Sequence, residues 1–141
     1  MSNSRRMREK PLFPKALACG MLEDEGRVLF LIRKDAQGTE RIEMPCAEIY
    51  PGEDPISKLA SEFRRQTGID AEIGDLKFER KSNAGSRKRR YVIPCLVYSV
   101  RAKNMRASPS SEFSGFRWLP FDEAKRMRLT RRSEWLGYQA R

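Results

Sequence analysis

Between Pro51 and Asp70 the chain reads PGEDPISKLASEFRRQTGID, and no other stretch constrains the fold so tightly. Pro55 suits the first turn of a helix, Asp54 can cap it, and Gly68 supplies a left-handed stop. Ile56, Leu59, Ala60, Phe63 and Thr67 recur at three and four, which makes one stripe that must be buried against other structure. Glu62, Arg65, Gln66 and Ile69 repeat the same spacing one step round, so their side chains converge on the helix flank. A single amphipathic helix of this kind needs a sheet to lie on.

The flanking sequence supplies strands. ALACGMLE (Ala16 to Glu23) and RVLFLIRK (Arg27 to Lys34) are apolar runs joined by Asp24 to Gly26, which is turn chemistry and implies a β-hairpin. RIEMP reads as a short strand closed by Pro45. After Gly68 come two more strands, Glu72 to Lys81 and Tyr91 to Ala102, around the loop SNAGSRKRR. Pro94 lacks an amide donor and so implies a sheet edge or a bulge. FRWLP reads as a further short strand, and FDEAKRM as the start of a helix with Asp122 as its cap. The order β, β, β, helix, β, β, β, helix describes an α/β chain, one mixed sheet covered on two sides.

At 141 residues this is one domain, expected over 13–141, behind a basic flexible arm at 1–12 that contains Arg5, Arg6 and Arg8. No run approaches the roughly 18 apolar residues a membrane span needs, and Pro14 and Lys15 interrupt any signal-peptide core. The expectation is an intracellular, cytoplasmic protein with no membrane partner. Cys19, Cys46 and Cys95 lack the close sequence spacing of zinc or disulfide frameworks and read as buried thiols. The absence of histidine removes Ser-His and Cys-His nucleophile pairs and imidazole acid-base chemistry. The 29 Lys and Arg against 19 Asp and Glu give a formal charge of +10, which favours polyanionic partners, though a solvated basic surface accounts for the same number.

The stretch Ala47 to Ile69 resembles the Nudix box of the MutT-like hydrolase superfamily, GX5EX7REUXEEXGU with U a bulky apolar residue. Glu53, Glu62, Phe63, Gly68 and Ile69 match it. Ala47, Ser61, Arg65 and Gln66 stand where the pattern has Gly, Arg, Glu and Glu, so the box is degenerate. Met44 and Pro45 ahead of it, and EFSGFRWLPFDEAKRM near the end, extend the resemblance over roughly Lys15 to Met127. It implies a Nudix-type α/β/α sandwich and water attack on a nucleoside diphosphate derivative. In the family, Mg²⁺ or Mn²⁺ held by box carboxylates neutralises the developing charge.

Here Glu62 alone remains of the three helix glutamates. Arg65 cannot deprotonate, and at about 4 Å and an effective dielectric near 20 it repels a divalent ion by about 8 kcal/mol before screening. Ser61 is too short to brace Glu53 as the family arginine does, and Ala47 allows fewer backbone conformations than glycine. The favoured reading is therefore a binding module for a nucleotide or other phosphate-bearing ligand, or for RNA, with hydrolysis weak or absent. Arg65 and Gln66 are its candidate phosphate contacts. Against this, Arg65 pairing with Glu62 or Glu53 on an exposed helix gives the same sequence. The alternative is a divergent, active pyrophosphohydrolase that holds metal through Glu62, with Glu53 and Glu112 as further catalytic carboxylates. A third reading is a structural RNA-contacting subunit. Arg87, Lys88, Arg89 and Arg90, with Tyr91 beside them, are the candidate nucleic-acid surface, joined in sequence terms by Arg126, Arg128, Arg131 and Arg132. Trp118, Phe121 and Trp135 read as packing aromatics.

Overall fold

The computed structural model describes residues 13–138. The arm expected over 1–12 lies outside the described residues. The elements run β1 (Ala16–Asp24), β2 (Arg27–Lys34), β3 (Glu40–Glu43), β4 (Cys46–Ile49), α1 (Pro55–Thr67), β5 (Ala71–Asn83), β6 (Val92–Ala102), β7 (Gly115–Leu119), α2 (Phe121–Ala124) and a 3-10 helix (Arg131–Tyr138).

Seven strands form one mixed sheet with the path β3-β2-β1-β6-β5, β4 joining on β1 and β7 on β2. β1 is its spine. Along one side it pairs in parallel with β6, from Leu17↔Cys95 to Leu22↔Val100. Along the other it first holds β4, from Ala16↔Ile49 to Cys19↔Cys46, and only at its tip meets β2. The hairpin expected between β1 and β2 is real but short, Glu23↔Val28 and Asp24↔Arg27, and Glu25 and Gly26 turn it with φ of 53° and 80°. The Gly20 amide donates to the Pro45 carbonyl at 2.9 Å, where β1 passes from one partner to the other.

Both faces of β1 are covered, which is why it reads as a continuous apolar run rather than an alternation. Ala16, Ala18 and Leu22 face α1 with Ala47, Ile49, Leu59, Phe63 and Tyr98, whereas Leu17, Cys19 and Met21 face a larger core with Phe30, Met44, Val97, Trp135 and Leu136. Gly20 lets the two layers close. A Cβ there would lie 2.8 Å from the Phe63 ring, and burying that ring contributes about 2 to 3 kcal/mol. The architecture is an α/β/α sandwich in a single domain, as expected. Among the described residues no helix is long and apolar enough to cross a membrane. The three cysteines are buried and free, and folding brings Cys19 and Cys95 to 3.7 Å between sulfurs.

Several local expectations need correction. β4 follows Pro45 as a separate strand that the sequence reading leaves out. Ile56 is 46% exposed, and the buried stripe of α1 begins only at Leu59. Asp54 does cap α1, accepting from the Ser57 amide at 2.9 Å, and Gly68 stops it at φ 76°. Asp122, by contrast, is not a cap: Pro120 holds that position, and Asp122 pairs with Lys125 at 3.2 Å inside a helix of one turn. The 3-10 helix then supplies the covering layer, with Trp135 edge-on to Phe78. Pro94 marks neither a sheet edge nor a bulge, since β6 is interior and the irregular pairings fall between Ile73 and Phe78 of β5. It is accommodated because the β1 ladder begins one residue later, at Cys95.

Candidate functional site on the flank of the long helix

The stripe of α1 one step round from the core carries the site. Arg65 lies along its own helix and donates to Glu62 Oε1 from Nε at 3.0 Å and from Nη2 at 2.9 Å. Its third nitrogen, Nη1, donates to Glu112 Oε1 at 2.7 Å. Glu112 comes from the turn before β7, and its other oxygen accepts from Arg33 of β2 at 3.1 Å. Arg33 in turn is forked onto Glu43 of β3, Nε to Oε1 at 3.1 Å and Nη2 to Oε2 at 3.4 Å. The result is a chain of alternating charge, Glu43, Arg33, Glu112, Arg65 and Glu62, linking four elements of the fold. Two guanidiniums and three carboxylates leave it one charge short of neutral.

The ionisation states follow from these contacts. Hydrogen bonds from Arg65 hold the Glu62 and Glu112 carboxyls below the usual range for glutamate, against a partial desolvation that works the other way. The same bonds push the Arg65 guanidinium above its ordinary value. Arg33 is also raised: burial acts to lower it, and the hydrogen bonds it donates to Glu43 and Glu112, with their charges, outweigh that.

Gln66, expected to touch phosphate, sits behind the cleft. It is 1% exposed and donates from Nε2 to the Cys46 carbonyl at 2.7 Å and to Glu62 at 3.2 Å, which clips α1 to β4 and aims Glu62 outward. Its Oε1 is buried with no hydrogen-bond partner. Glu53 is held apart from the other candidates. It accepts from the Tyr50 amide at 2.8 Å and from Lys58 at 2.9 Å, and those two bonds, in that order, depress its pKa. Lys58 thereby supplies the brace that Ser61 is too short to give. Ala47 lies within β4. Its φ is not positive, so the conformational limit expected there does not arise.

Glu62, Arg65, Glu112, Lys58, Arg33 and Arg132 line a cleft of about 220 Å³. The larger cavity of about 680 Å³ lies at Asp70, Glu72 and Arg101, at the far end of β5 and β6, and contains none of the box residues. Arg132 enters the cleft from the 3-10 helix and reaches Glu48 at 3.5 Å. Sequence reasoning missed Arg33, Glu43 and Lys58 as members of the site, and only Lys58, one turn into α1, left a local signal.

As placed, these residues do not fit the divalent ion that the box pattern implies. A guanidinium stands between the two outward carboxylates, Gln66 turns its amide nitrogen toward Glu62, and among the described residues no three acidic or thiol side chains converge to hold a metal. Of the basic candidates, Arg132 lines the cleft and the loop cluster lies elsewhere. Arg87, Lys88, Arg89 and Arg90 are exposed on the loop between β5 and β6, and Tyr91 is stacked on Phe13 with ring centroids 4.6 Å apart.

A family model described as the NUDIX domain matches residues 11–136. Among curated proteins, the asymmetrical bis(5'-nucleosyl)-tetraphosphatase of Mus musculus is 25% identical over 118 residues, 76% of this chain and 80% of that protein. Among solved structures, the E. coli ORF135 protein superposes with a TM-score of 0.69 at 18% identity, over 86% of this chain and 85% of that one. The MutT NUDIX hydrolase of Burkholderia pseudomallei gives 0.68 at 18% identity, over 91% and 98%. These structural likenesses concern the fold.

Proposed function

Since the chain belongs to the Nudix domain family, we propose that it keeps the family's phosphate-facing cleft, binds a nucleoside polyphosphate or nucleoside diphosphate derivative there without metal, and hydrolyses it weakly or not at all. The observation that carries this reading is the Arg65 guanidinium bonded to both Glu62 and Glu112. A box of bare carboxylates repels an anionic ligand until a cation neutralises it. Here the cation is covalently part of the helix. A guanidinium has five N–H donors; the bonds to Glu62 and Glu112 engage three nitrogens once each, and leave one N–H on each terminal nitrogen for a phosphate oxygen. Lys58 and Arg132 flank the same cleft. The name of the mouse relative, a tetraphosphatase acting between nucleosides, supports a ligand of that chemical class.

The test is calorimetric titration of ADP and of diadenosine tetraphosphate into the full chain, with EDTA and then with Mg²⁺ or Mn²⁺, followed by a phosphate-release panel. Equal affinity in EDTA and in metal, with no turnover, is the expected result. Turnover that requires metal and disappears in Glu62→Gln would overturn it in favour of a working pyrophosphohydrolase. One observation favours that second reading: the Arg65 side chain is 50% exposed and can turn out of the cleft.

A further inference from the structure

The loop between β5 and β6 goes unused in the cleft, and its construction calls for an explanation. Asn83 Oδ1 accepts from the amides of both Gly85 and Tyr91 at 2.9 Å, closing the stems of the loop across eight residues. Ser86 and Arg89 then lock the tip, the Ser86 amide donating to the Arg89 carbonyl at 3.0 Å and the Arg89 amide to Ser86 Oγ at 2.8 Å. Gly85 is needed there, because a Cβ would collide with the Arg89 carbonyl. A merely solvated charge run needs none of this. The clamp holds Arg87, Lys88, Arg89 and Arg90 close together and exposed, with no carboxylate within ion-pair distance among the described residues. Four like charges fixed on one turn repel one another, and a bound polyanion relieves that repulsion.

The surroundings narrow the polyanion. Beside the cations, Tyr91 and Phe13 are stacked with an interplanar angle of 25° and remain 45% and 38% exposed. A stacked pair open at the surface is a platform on which a nucleobase continues the stack. Next to it runs a groove of about 230 Å³ bounded by Pro14, Asn83, Ala84, Arg131, Arg132 and Glu48; Arg132 is paired there with Glu48 at 3.5 Å, and Arg131, exposed, carries the basic surface from the loop tip toward the 3-10 helix. Cations, flat aromatic faces and a groove that tracks between them are what a flexible sugar-phosphate chain with unpaired bases requires. A duplex, its bases already stacked, cannot use the aromatic pair. We propose that this loop, the Phe13 and Tyr91 stack and the adjoining groove form a binding site for single-stranded nucleic acid. The loop and the aromatic pair lie outside the cleft, the groove meets it at Arg132 and Glu48, and the proposal stands whether or not the cleft binds a nucleotide.

Fluorescence anisotropy with end-labelled 12-nucleotide single strands, one RNA and one DNA, tests it on the full chain at 50, 100 and 200 mM KCl. The four loop cations and Arg131 make five phosphate contacts, which give a slope of log Kd against log salt of about 3.5, from about 0.7 per contact on a single strand. The triple variant Arg87→Ala, Lys88→Ala, Arg89→Ala is expected to lower that slope by about 2 and the affinity at 100 mM by about tenfold or more. A matched triple at the other end of β6, Arg101→Ala, Lys103→Ala, Arg106→Ala, removes the same charge and is expected to stay within about twofold. Tyr91→Ala is expected to weaken binding at least about fivefold with the slope unchanged, and Tyr91→Phe to retain it. Equal losses in the two triples would reduce the effect to net charge and overturn the site. So would a duplex that binds as tightly as the single strands, or the failure of both strands to bind.

Discussion

Replacing Arg65 with glutamate tests the idea that the cleft carries its own cation. The guanidinium lies 2.9 Å from Glu62 and 2.7 Å from Glu112, atom to atom, so the charge centres are about 4 Å apart. At an effective dielectric near 20 each attraction is about 4 kcal/mol before desolvation and screening. The Arg65 side chain is 50% exposed, and pairs of that kind contribute about 0.6 kcal/mol, the middle of a range of about 0.2 to 1 kcal/mol. Arg65→Glu removes two such attractions and adds two repulsions of similar size, so the metal-free variant should be about 2 to 3 kcal/mol less stable, or about 10 °C in melting temperature for a chain this long. It also presents three carboxylates to one point. Mn²⁺ at a hundred times its Kd returns about 2.7 kcal/mol, which offsets the whole loss. Thermal melts of wild type and variant in EDTA and in a Mn²⁺ series provide the assay. The expected pattern is a variant that melts low in EDTA and recovers with Mn²⁺, beside a wild type that ignores the metal. A wild-type chain that Mn²⁺ stabilises as strongly as the variant would refute the reasoning, because Arg65 would then not be occupying a cation's place.

Other parts of the network give separate expectations. Arg33→Ala strands Glu43, whose side chain is 1% exposed, and should lower stability by about 3 kcal/mol in urea unfolding, with much of the loss recovered when Glu43→Gln is added. Glu53, Glu62 and Glu112 all have folded pKa values below their ordinary ones, so the unfolded chain binds protons first as pH falls. Their stabilisation is therefore complete above about pH 4.5 and lost as pH drops through the folded values. Melting temperatures between pH 6 and pH 3 should fall less steeply for Arg65→Ala than for wild type. Gly68→Ala imposes a positive φ of 76° on alanine and puts its Cβ 2.8 Å from the Ser108 carbonyl oxygen, whereas Gly52→Ala meets only the φ of 89° in open space. The first should cost about 2 kcal/mol or more and the second about 1 kcal/mol, as read by chemical denaturation.

The sequence made α1 legible because each of its determinants acts within one turn: Asp54 on Ser57, Pro55 on the start, Gly68 on the stop. β4 was not legible, since CAEI is too short to show a period and becomes a strand only through β1, about thirty residues away. The final helix was misjudged for a related reason. FDEA makes a single turn, and the covering layer comes from a 3-10 helix whose only strong cue is one buried aromatic, Trp135. Ile56 fits the apolar stripe by spacing alone, and spacing cannot report which turn of the stripe is covered.

The same division runs through the site. Glu62, Arg65 and Gln66 could be placed together because helical spacing requires it, and one of the pairings weighed for Arg65, with Glu62, is present. Arg33 and Glu112 are 79 positions apart and Arg65 and Glu112 are 47 apart, so no local pattern could link them. That distance bears on what the box substitutions mean. A metal site that had simply lost its ligands would leave carboxylates facing one another without a counter-charge. Instead Glu43 is held by Arg33, Glu48 by Arg132, Glu53 by Lys58, Glu62 by Arg65, and Glu112 by both Arg33 and Arg65. Those cations come from β2, α1 and the 3-10 helix, so the charge balance around the cleft is distributed over the fold rather than set at position 65. A single reversal at Arg65 should therefore create a metal demand locally while the other pairs keep the cleft folded, and that is the condition under which the Mn²⁺ experiment reads the cation's role and not the loss of the structure.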